Sequence, residues 1–163
     1  MKSLLFFIGF LTIVAGSSAQ LKITPVCNTL VVDILDGKVN GVYPDFTPGQ
    51  VKQYLPCFTS EEPESSASPC GGGVFYKDKD IYFYTGRDYI EIREKFKGKL
   101  SIPLIGASRT GLFKWLGNAK IRDVNWDAFQ TAYGTLVLHY NKTGKINLIQ
   151  FSKKSTETLS LCE

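Results

Sequence analysis

The feature that most constrains the fold of this chain is a pattern that occurs twice, 61 residues apart. The first copy opens at Gly37 and the second at Gly98, and each glycine is followed by lysine and an aliphatic residue. A period of this length is too long for a solenoid repeat and too short for two independent domains. We therefore expect two half-modules, about residues 37–97 and 98–152, that share one sheet or core.

Each copy predicts a short helix at the same distance from its opening glycine. In the first copy Thr47 is a helix-capping residue, and Gln50 completes a capping box three positions later. Pro56 disfavours helical geometry in the residue before it, so this helix should end there. In the second copy, Ser108 and Gly117 are expected to bound the matching helix, because glycine suits a left-handed C-terminal cap.

After each helix the hydrophobic period changes to two, which is typical of half-buried strands. The predicted strands cover 73–76, 80–84 and 89–93 in the first copy, and 126–133, 135–140 and 146–151 in the second. A further β-branched strand should precede the first copy. The expected class is α+β, with two tandem helix-plus-antiparallel-meander repeats that form one curved sheet with helices on one face.

The N-terminus reads as a signal peptide over residues 1–19. Lys2 gives a short positive region, residues 4–14 are apolar, and small residues end the segment at Ala19. Eleven apolar residues are too few to cross a bilayer, which needs about 20. We expect a secreted or periplasmic protein whose mature part, residues 20–163, is a single domain.

The charge distribution argues against two classes of partner. The formal net charge is +4, but basic and acidic residues are interspersed and form no basic stripe, so nucleic acid is not an expected ligand. No second apolar stretch approaches membrane length, so no membrane insertion is expected after signal cleavage.

Four cysteines remain in the mature part, Cys27, Cys57, Cys70 and Cys162. An even number in an exported chain predicts disulfide bonds, and three pairings can be drawn. The short aperiodic segment between Cys57 and Cys70 favours a local bond there, which leaves Cys27 to pair with Cys162. Without a Cys-x-x-Cys motif and with one histidine, the chain is not expected to hold a metal or another cofactor.

The second copy resembles a known module in residues 104–119 and in the strands and Gly144-Lys145-Ile146 turn that follow. The module is shared by the small lipoprotein of the β-barrel assembly machinery and by the β-lactamase-inhibitor protein. The resemblance covers about residues 37–152. It implies a tandem duplication, export, and a disulfide just after the first helix of a repeat, where Cys57 and Cys70 stand. No cysteine stands at the predicted cleavage site, so a lipid anchor is not implied.

The candidates for catalysis are few. His139 is the single imidazole and alternates with apolar residues, which favours a half-exposed strand position over a catalytic base. No Gly-x-Ser-x-Gly motif is present. Asp88 and Glu91 are close enough to suggest paired carboxylates, but neighbouring arginine and lysine residues favour a solvated charged surface.

The strongest candidate for binding is an aromatic strip. If Ile81, Phe83, Ile90 and Ile92 face the helices, then Tyr82, Tyr84, Tyr89 and Glu91 face the other way. Tyrosine is enriched at binding hot spots, so an uncovered strip would be a contact surface. The alternative is that another part of the chain covers it, or that the register is shifted by one residue.

These observations favour an exported, non-enzymatic protein-binding module with a protein partner. Its most concrete form is an inhibitor or immunity protein that acts by occlusion, a version that rests on the resemblance. The alternatives are an extracellular or periplasmic hydrolase that uses Asp88, Glu91 or His139, and an envelope-assembly scaffold.

Overall fold

The computed structural model describes residues 26–63, 65 and 72–161. The helices are α1 (Pro48–Tyr54) and α2 (Phe113–Leu116), and a 3-10 turn (Arg109–Gly111) precedes α2. The strands are β1 (Val31–Asp33), β2 (Lys38–Val39), β3 (Ser60–Glu62), β4 (Gly73–Tyr76), β5 (Ile81–Tyr84), β6 (Tyr89–Arg93), β7 (Lys99–Leu100), β8 (Ile121–Arg122), β9 (Trp126–Gln130), β10 (Thr135–Tyr140) and β11 (Ile146–Ser152). The α+β class is confirmed.

The main sheet has eight strands in the order β3-β4-β5-β6-β11-β10-β9-β8, and every pairing is antiparallel. It consists of two four-stranded meanders that meet at β6 and β11, where Glu91 lies opposite Gln150. The six predicted strands are present. The prediction of three strands per meander was incomplete, because β3 and the two-residue β8 extend the outer edges.

A second, three-stranded sheet has the order β2-β1-β7. The Gly-Lys-aliphatic openings of the two sequence copies form β2 and β7, which lie on either side of β1. The strand predicted before the first copy is thus the centre of this small sheet. The two predicted meanders do share one sheet, but this small second sheet was not predicted.

One face of the main sheet packs against the helices and the small sheet. Ile81, Phe83, Ile90 and Ile92 are all buried in this core, as the period-two pattern predicts. Val51 of α1, Leu112 before α2 and Val32 of the small sheet belong to the same cluster. Because side chains alternate along β5 and β6, the residues between these buried ones lie on the opposite face of the main sheet.

The two predicted helices differ in regularity. Helix α1 has the predicted capping box between Thr47 and Gln50, and it ends before Pro56. The second copy has no continuous helix, because the chain forms a 3-10 turn, adopts a cap position at Leu112 and then makes one turn of α2. The Ser108 hydroxyl contacts Thr110 at 2.7 Å and does not cap the backbone. Gly117 has a positive φ of 71° at the C-terminal end, but its ψ of −147° lies outside the left-handed helical region that was predicted.

The predicted disulfide pairing was wrong. Cys27 is bonded to Cys57, with their Cα atoms 5.6 Å apart. Pro56 and Cys57, which follow α1, line one small cleft together with residues of the segment that leads into β1. Cys57 was predicted to pair with Cys70, and Cys27 with Cys162. Cys70, Cys162 and the predicted signal peptide all lie outside the described residues.

Candidate binding site

A row of side chains crosses six strands on the face opposite the core, from the residue before β5 to the residue after β8. The row consists of Asp80, Arg93, Leu148, His139, Trp126 and Asp123. Strands lie about 4.8 Å apart, so the row is about 24 Å long. It lines an open cleft of about 860 Å3, which we call the trough. The trough is also lined by Glu91, Glu94, Lys95, Asn125, Asn147, Gln150 and Leu161.

A chain of hydrogen bonds connects both meanders across the centre of the trough. The Gln150 amide nitrogen donates to Glu91 Oε2 at 2.9 Å, and the Gln150 Oε1 atom lies 2.8 Å from His139 Nε2. Because the Gln150 oxygen can only accept, His139 must donate from Nε2. A neutral His139 ring therefore keeps Nδ1 as its acceptor. Glu91 and Gln150 are only 5% and 2% exposed, so these bonds satisfy polar groups that water barely reaches.

Arg93 is held in one orientation at the edge of this chain. Its Nε donates to Glu91 Oε1 at 2.6 Å, and its guanidinium lies 4.1 Å from the Tyr82 ring centroid. Burial lowers the pKa of Arg93, but the hydrogen bond and charge of Glu91 outweigh it and the net shift is upward. The guanidinium is therefore a fixed, permanently charged donor group.

The four predicted binding residues all face away from the core, but they are not equally exposed. Tyr82 and Tyr84 are half-buried, whereas Tyr89 is 1% exposed and stacks on Tyr84 with ring centroids 4.6 Å apart. Burial raises the pKa of Tyr82 and of Tyr84. The strip is thus partly covered, as the alternative interpretation expected, and Tyr89 and Glu91 are supporting residues of this face.

The C-terminal segment, residues 153–161, lies over this face. Its backbone at Thr156 donates to Gln130 Oε1 at 3.2 Å, its Glu157 pairs with Lys120, and its Ser160 hydroxyl lies 3.5 Å from Arg87 Nη1. Leu161 reaches the trough and lines it.

The residues named for a hydrolase do not come together as a group. Glu91 and His139 both line the trough and are connected through Gln150. Asp88 lies in the β5–β6 turn with a φ of 57°, and its carboxylate pairs with Lys154 at 3.0 Å. It is not among the residues that line the trough. The described part of the chain holds no cluster of three His, Cys, Asp or Glu side chains suited to a metal ion.

Sequence reasoning missed most residues of the site, among them Arg93, Trp126 and Gln150. Their outward-facing positions follow from the same alternation that placed the tyrosines. The alternation of residues does not reveal that β6 pairs with β11. This pairing brings together residues 59 positions apart, such as Glu91 and Gln150. A search for polar residues at outward positions of both meanders would have found them as candidates.

Comparisons with protein-family models, curated proteins and solved structures found no match to this chain. The resemblance to the duplicated inhibitor module therefore stays a prediction. Within the described part of the chain, no helix is both long and apolar enough to cross a membrane.

Proposed function

We propose that this protein is an exported, non-enzymatic binding protein whose trough holds an extended segment of a protein partner. The observation that carries the proposal is the trough itself, an open cleft across six strands with a floor of internally hydrogen-bonded polar groups. A floor fixed before binding costs little conformational entropy when a partner docks. At about 3.3 Å per residue, about seven extended residues would match the length of the trough.

The state of the polar groups favours recognition over catalysis. Both carboxylate oxygens of Glu91 accept hydrogen bonds, one from Arg93 and one from Gln150. His139 donates from Nε2 to the Gln150 amide oxygen. This nitrogen is therefore bonded neither to a nucleophile that the ring could activate nor to a carboxylate that would orient the ring. Groups held in this way present a defined pattern of donors and acceptors to a partner.

The trough also contains the residue types that dominate binding energy. Trp126 and Arg93 are of residue types that are enriched in hot spots, and Leu148 lies between them on the sheet. The partner would be held by contact and its own surface occluded, without chemistry in the trough. An inhibitor or immunity role against a secreted enzyme is the concrete form of this proposal, and it rests on the sequence resemblance.

Export is the remaining part of the proposal. It is supported by the predicted signal peptide over residues 1–19 and by the Cys27–Cys57 bond, since disulfides persist in oxidising compartments.

The two tryptophans of the chain allow a matched test. Trp126 lines the trough, whereas Trp115 lies on α2, is 37% exposed and does not line it. The exported protein, Trp126→Ala and Trp115→Ala would each be used at micromolar concentration to capture proteins from the secreted and envelope fractions of the source cells. The captured partner would then be purified and its Kd measured by calorimetry.

We expect Trp126→Ala to weaken the purified complex about thirtyfold, the equivalent of a 2 kcal/mol hot spot, and Trp115→Ala to leave it within about twofold. Recovery of no partner, or equal affinity for the wild type and Trp126→Ala, would contradict the proposal. Circular dichroism of both variants would verify that each keeps the wild-type fold.

A further inference from the structure

The turn between β10 and β11 carries a modification motif that the proposed binding function does not use. Its sequence, Asn141-Lys142-Thr143, places a threonine two residues after an asparagine, with a residue other than proline between them. This is the acceptor pattern for an N-linked glycan in exported proteins. None of the other five asparagines of the chain has serine or threonine at the second following position. Because so short a motif also occurs by chance, the geometry of the turn decides whether it is a usable acceptor.

The two groups that define the motif are exposed and lie side by side. Asn141 is the first residue after β10, and Asn141, Lys142 and Thr143 are all exposed. The Thr143 hydroxyl donates a hydrogen bond to Asn141 Oδ1 at 2.7 Å. An enzyme that recognises both the amide and the hydroxyl can therefore reach them from the same side of the turn.

The amide nitrogen that would receive the sugar takes no part in the structure of the turn. Asn141 Oδ1 also accepts from the backbone nitrogens of Thr143 and Lys145, at 3.0 and 3.1 Å. Two backbone hydrogen bonds of 2.9 Å close the turn, from Asn141 N to Lys145 O and from Gly144 N to Asn141 O. Within the described part of the chain, Asn141 Nδ2 has no hydrogen-bond partner. A substituent on Nδ2 would leave all of these bonds in place.

The surface of the turn has room for a bulky group. Gly144 and Lys145 are exposed like the motif itself, and a side-chain carbon built on Gly144 would meet no atom of the described residues within 4 Å. A glycan is large and hydrophilic and belongs on such a surface. Attachment at this turn would therefore not disturb the core.

We propose that Asn141 is an N-glycosylation site of the exported protein, with an oligosaccharide that is linked to a lipid through pyrophosphate as the donor. Asn141 Nδ2 forms a bond to the anomeric carbon of the first sugar. The bond between that carbon and the pyrophosphate oxygen breaks, and the proton that Nδ2 loses leaves with the lipid pyrophosphate. The inference rests on the export proposed above and does not depend on a partner in the trough.

The test begins with the full chain, with its own N-terminal segment, secreted from cultured insect cells. Intact mass and peptide mapping would be measured before and after treatment with an amidase that releases N-linked glycans. We expect the wild type to carry one glycan, on Asn141, and its release to leave an aspartate at that position. The same mapping of the protein exported by the source cells should find Asn141 glycosylated.

Four variants separate the motif from the fold of the turn. Asn141→Gln and Thr143→Ala should each abolish the added mass, since they remove the acceptor amide and the hydroxyl. Thr143→Ser keeps a hydroxyl and should stay glycosylated. Asn118→Gln replaces an exposed asparagine outside the motif and should also leave the glycan in place. Circular dichroism would verify that each variant keeps the wild-type fold.

Secreted wild-type protein without a glycan on Asn141, or a glycan that persists in Thr143→Ala, would overturn the inference alone. A chain that stays inside the cells would overturn both the inference and the proposed export. Capture of a partner that depends on Trp126 would leave the binding function standing in either case.

Discussion

The burial of the Glu91 carboxylate can be explained only by the side chains that pair with it. A carboxylate that is 5% exposed is costly unless hydrogen bonds and opposite charge compensate for lost hydration. Arg93 supplies the charge from two residues away on the same strand, and Gln150 supplies a neutral donor from the other meander. Gln150 is therefore the residue that both supports Glu91 and orients His139.

Replacement of Gln150 by leucine tests this role. The change leaves Glu91 Oε2 without its donor and His139 Nε2 without its acceptor, and we expect the free energy of unfolding to fall by about 1 to 3 kcal/mol. Gln53→Leu on the exposed side of α1 is the control and should stay within about 0.5 kcal/mol of the wild type. Urea unfolding of the three proteins measures both effects, and equal midpoints for Gln150→Leu and wild type would disprove the role.

At the scale of elements, the two sequence copies reach different local structures from similar signals. Helix α1 combines a capping box, a proline at its first turn and buried Val51. The corresponding segment of the second copy has a serine at the cap position, but its hydroxyl contacts Thr110 and its chain forms a 3-10 turn before α2. A capping residue alone is thus insufficient to begin a regular helix.

This difference gives a paired prediction. Thr47→Ala removes the side-chain cap and should lower the free energy of unfolding by about 1 kcal/mol. Ser108→Ala removes an exposed hydroxyl that makes no cap bond, so its effect should stay below about 0.5 kcal/mol. Thermal or urea unfolding would compare the two variants, and equal losses would show that Ser108 acts as a cap in solution.

The disulfide between Cys27 and Cys57 connects the segment before β1 to the end of α1 and closes a loop of 30 residues. Replacement of both cysteines by alanine should lower the free energy of unfolding by about 3.5 kcal/mol in the chain-entropy model. Non-reducing peptide mapping should also find the Cys27 and Cys57 peptides cross-linked. A linked pair of Cys57 and Cys70 would contradict this assignment.

At the scale of the whole molecule, the two meanders form one sheet because β6 and β11 pair along five residues. The same core is closed by α1, α2 and the small sheet, and it contains large aromatic side chains from both meanders and from the loop before β10. Burial is the main cause of the raised pKa values of Tyr76, Tyr133 and Tyr140. The free energy of unfolding should therefore change with pH in the alkaline range.

The sign of this dependence follows from linkage. Below about pH 10 these tyrosines are neutral in both states, so their contribution is fully present. Above about pH 10 the unfolded chain loses phenolic protons that the folded chain keeps, so the free energy of unfolding should fall by about 1.4 kcal/mol per pH unit for each tyrosine. Urea midpoints and phenolate absorbance between about pH 9 and about pH 11 would measure it. Tyr133→Phe should reduce the fall in the free energy of unfolding per pH unit by the contribution of one tyrosine. An unchanged dependence on pH would argue against the burial of Tyr133.

Much of the fold could be predicted because the signals are local. The alternation in β5 and β6 placed Ile81 and Phe83 in the core and Tyr82 on the other face, and Thr47 with Gln50 placed the start of α1. The candidate site was predicted only in part, since Glu91 and His139 were named without the Gln150 that joins them. The register between β6 and β11 links distant segments and leaves no local pattern.

The sequence by itself determined α1, the six longest strands with their inward and outward faces, and the α+β class, because helix caps and hydrophobic periods act over a few residues. Only the tertiary structure decided the partners. It paired Cys27 with Cys57, placed the two Gly-Lys openings on either side of β1, and brought the C-terminal segment against Gln130 and Arg87. Which segments meet depends on the packing of one shared core, and that packing is a property of the whole chain.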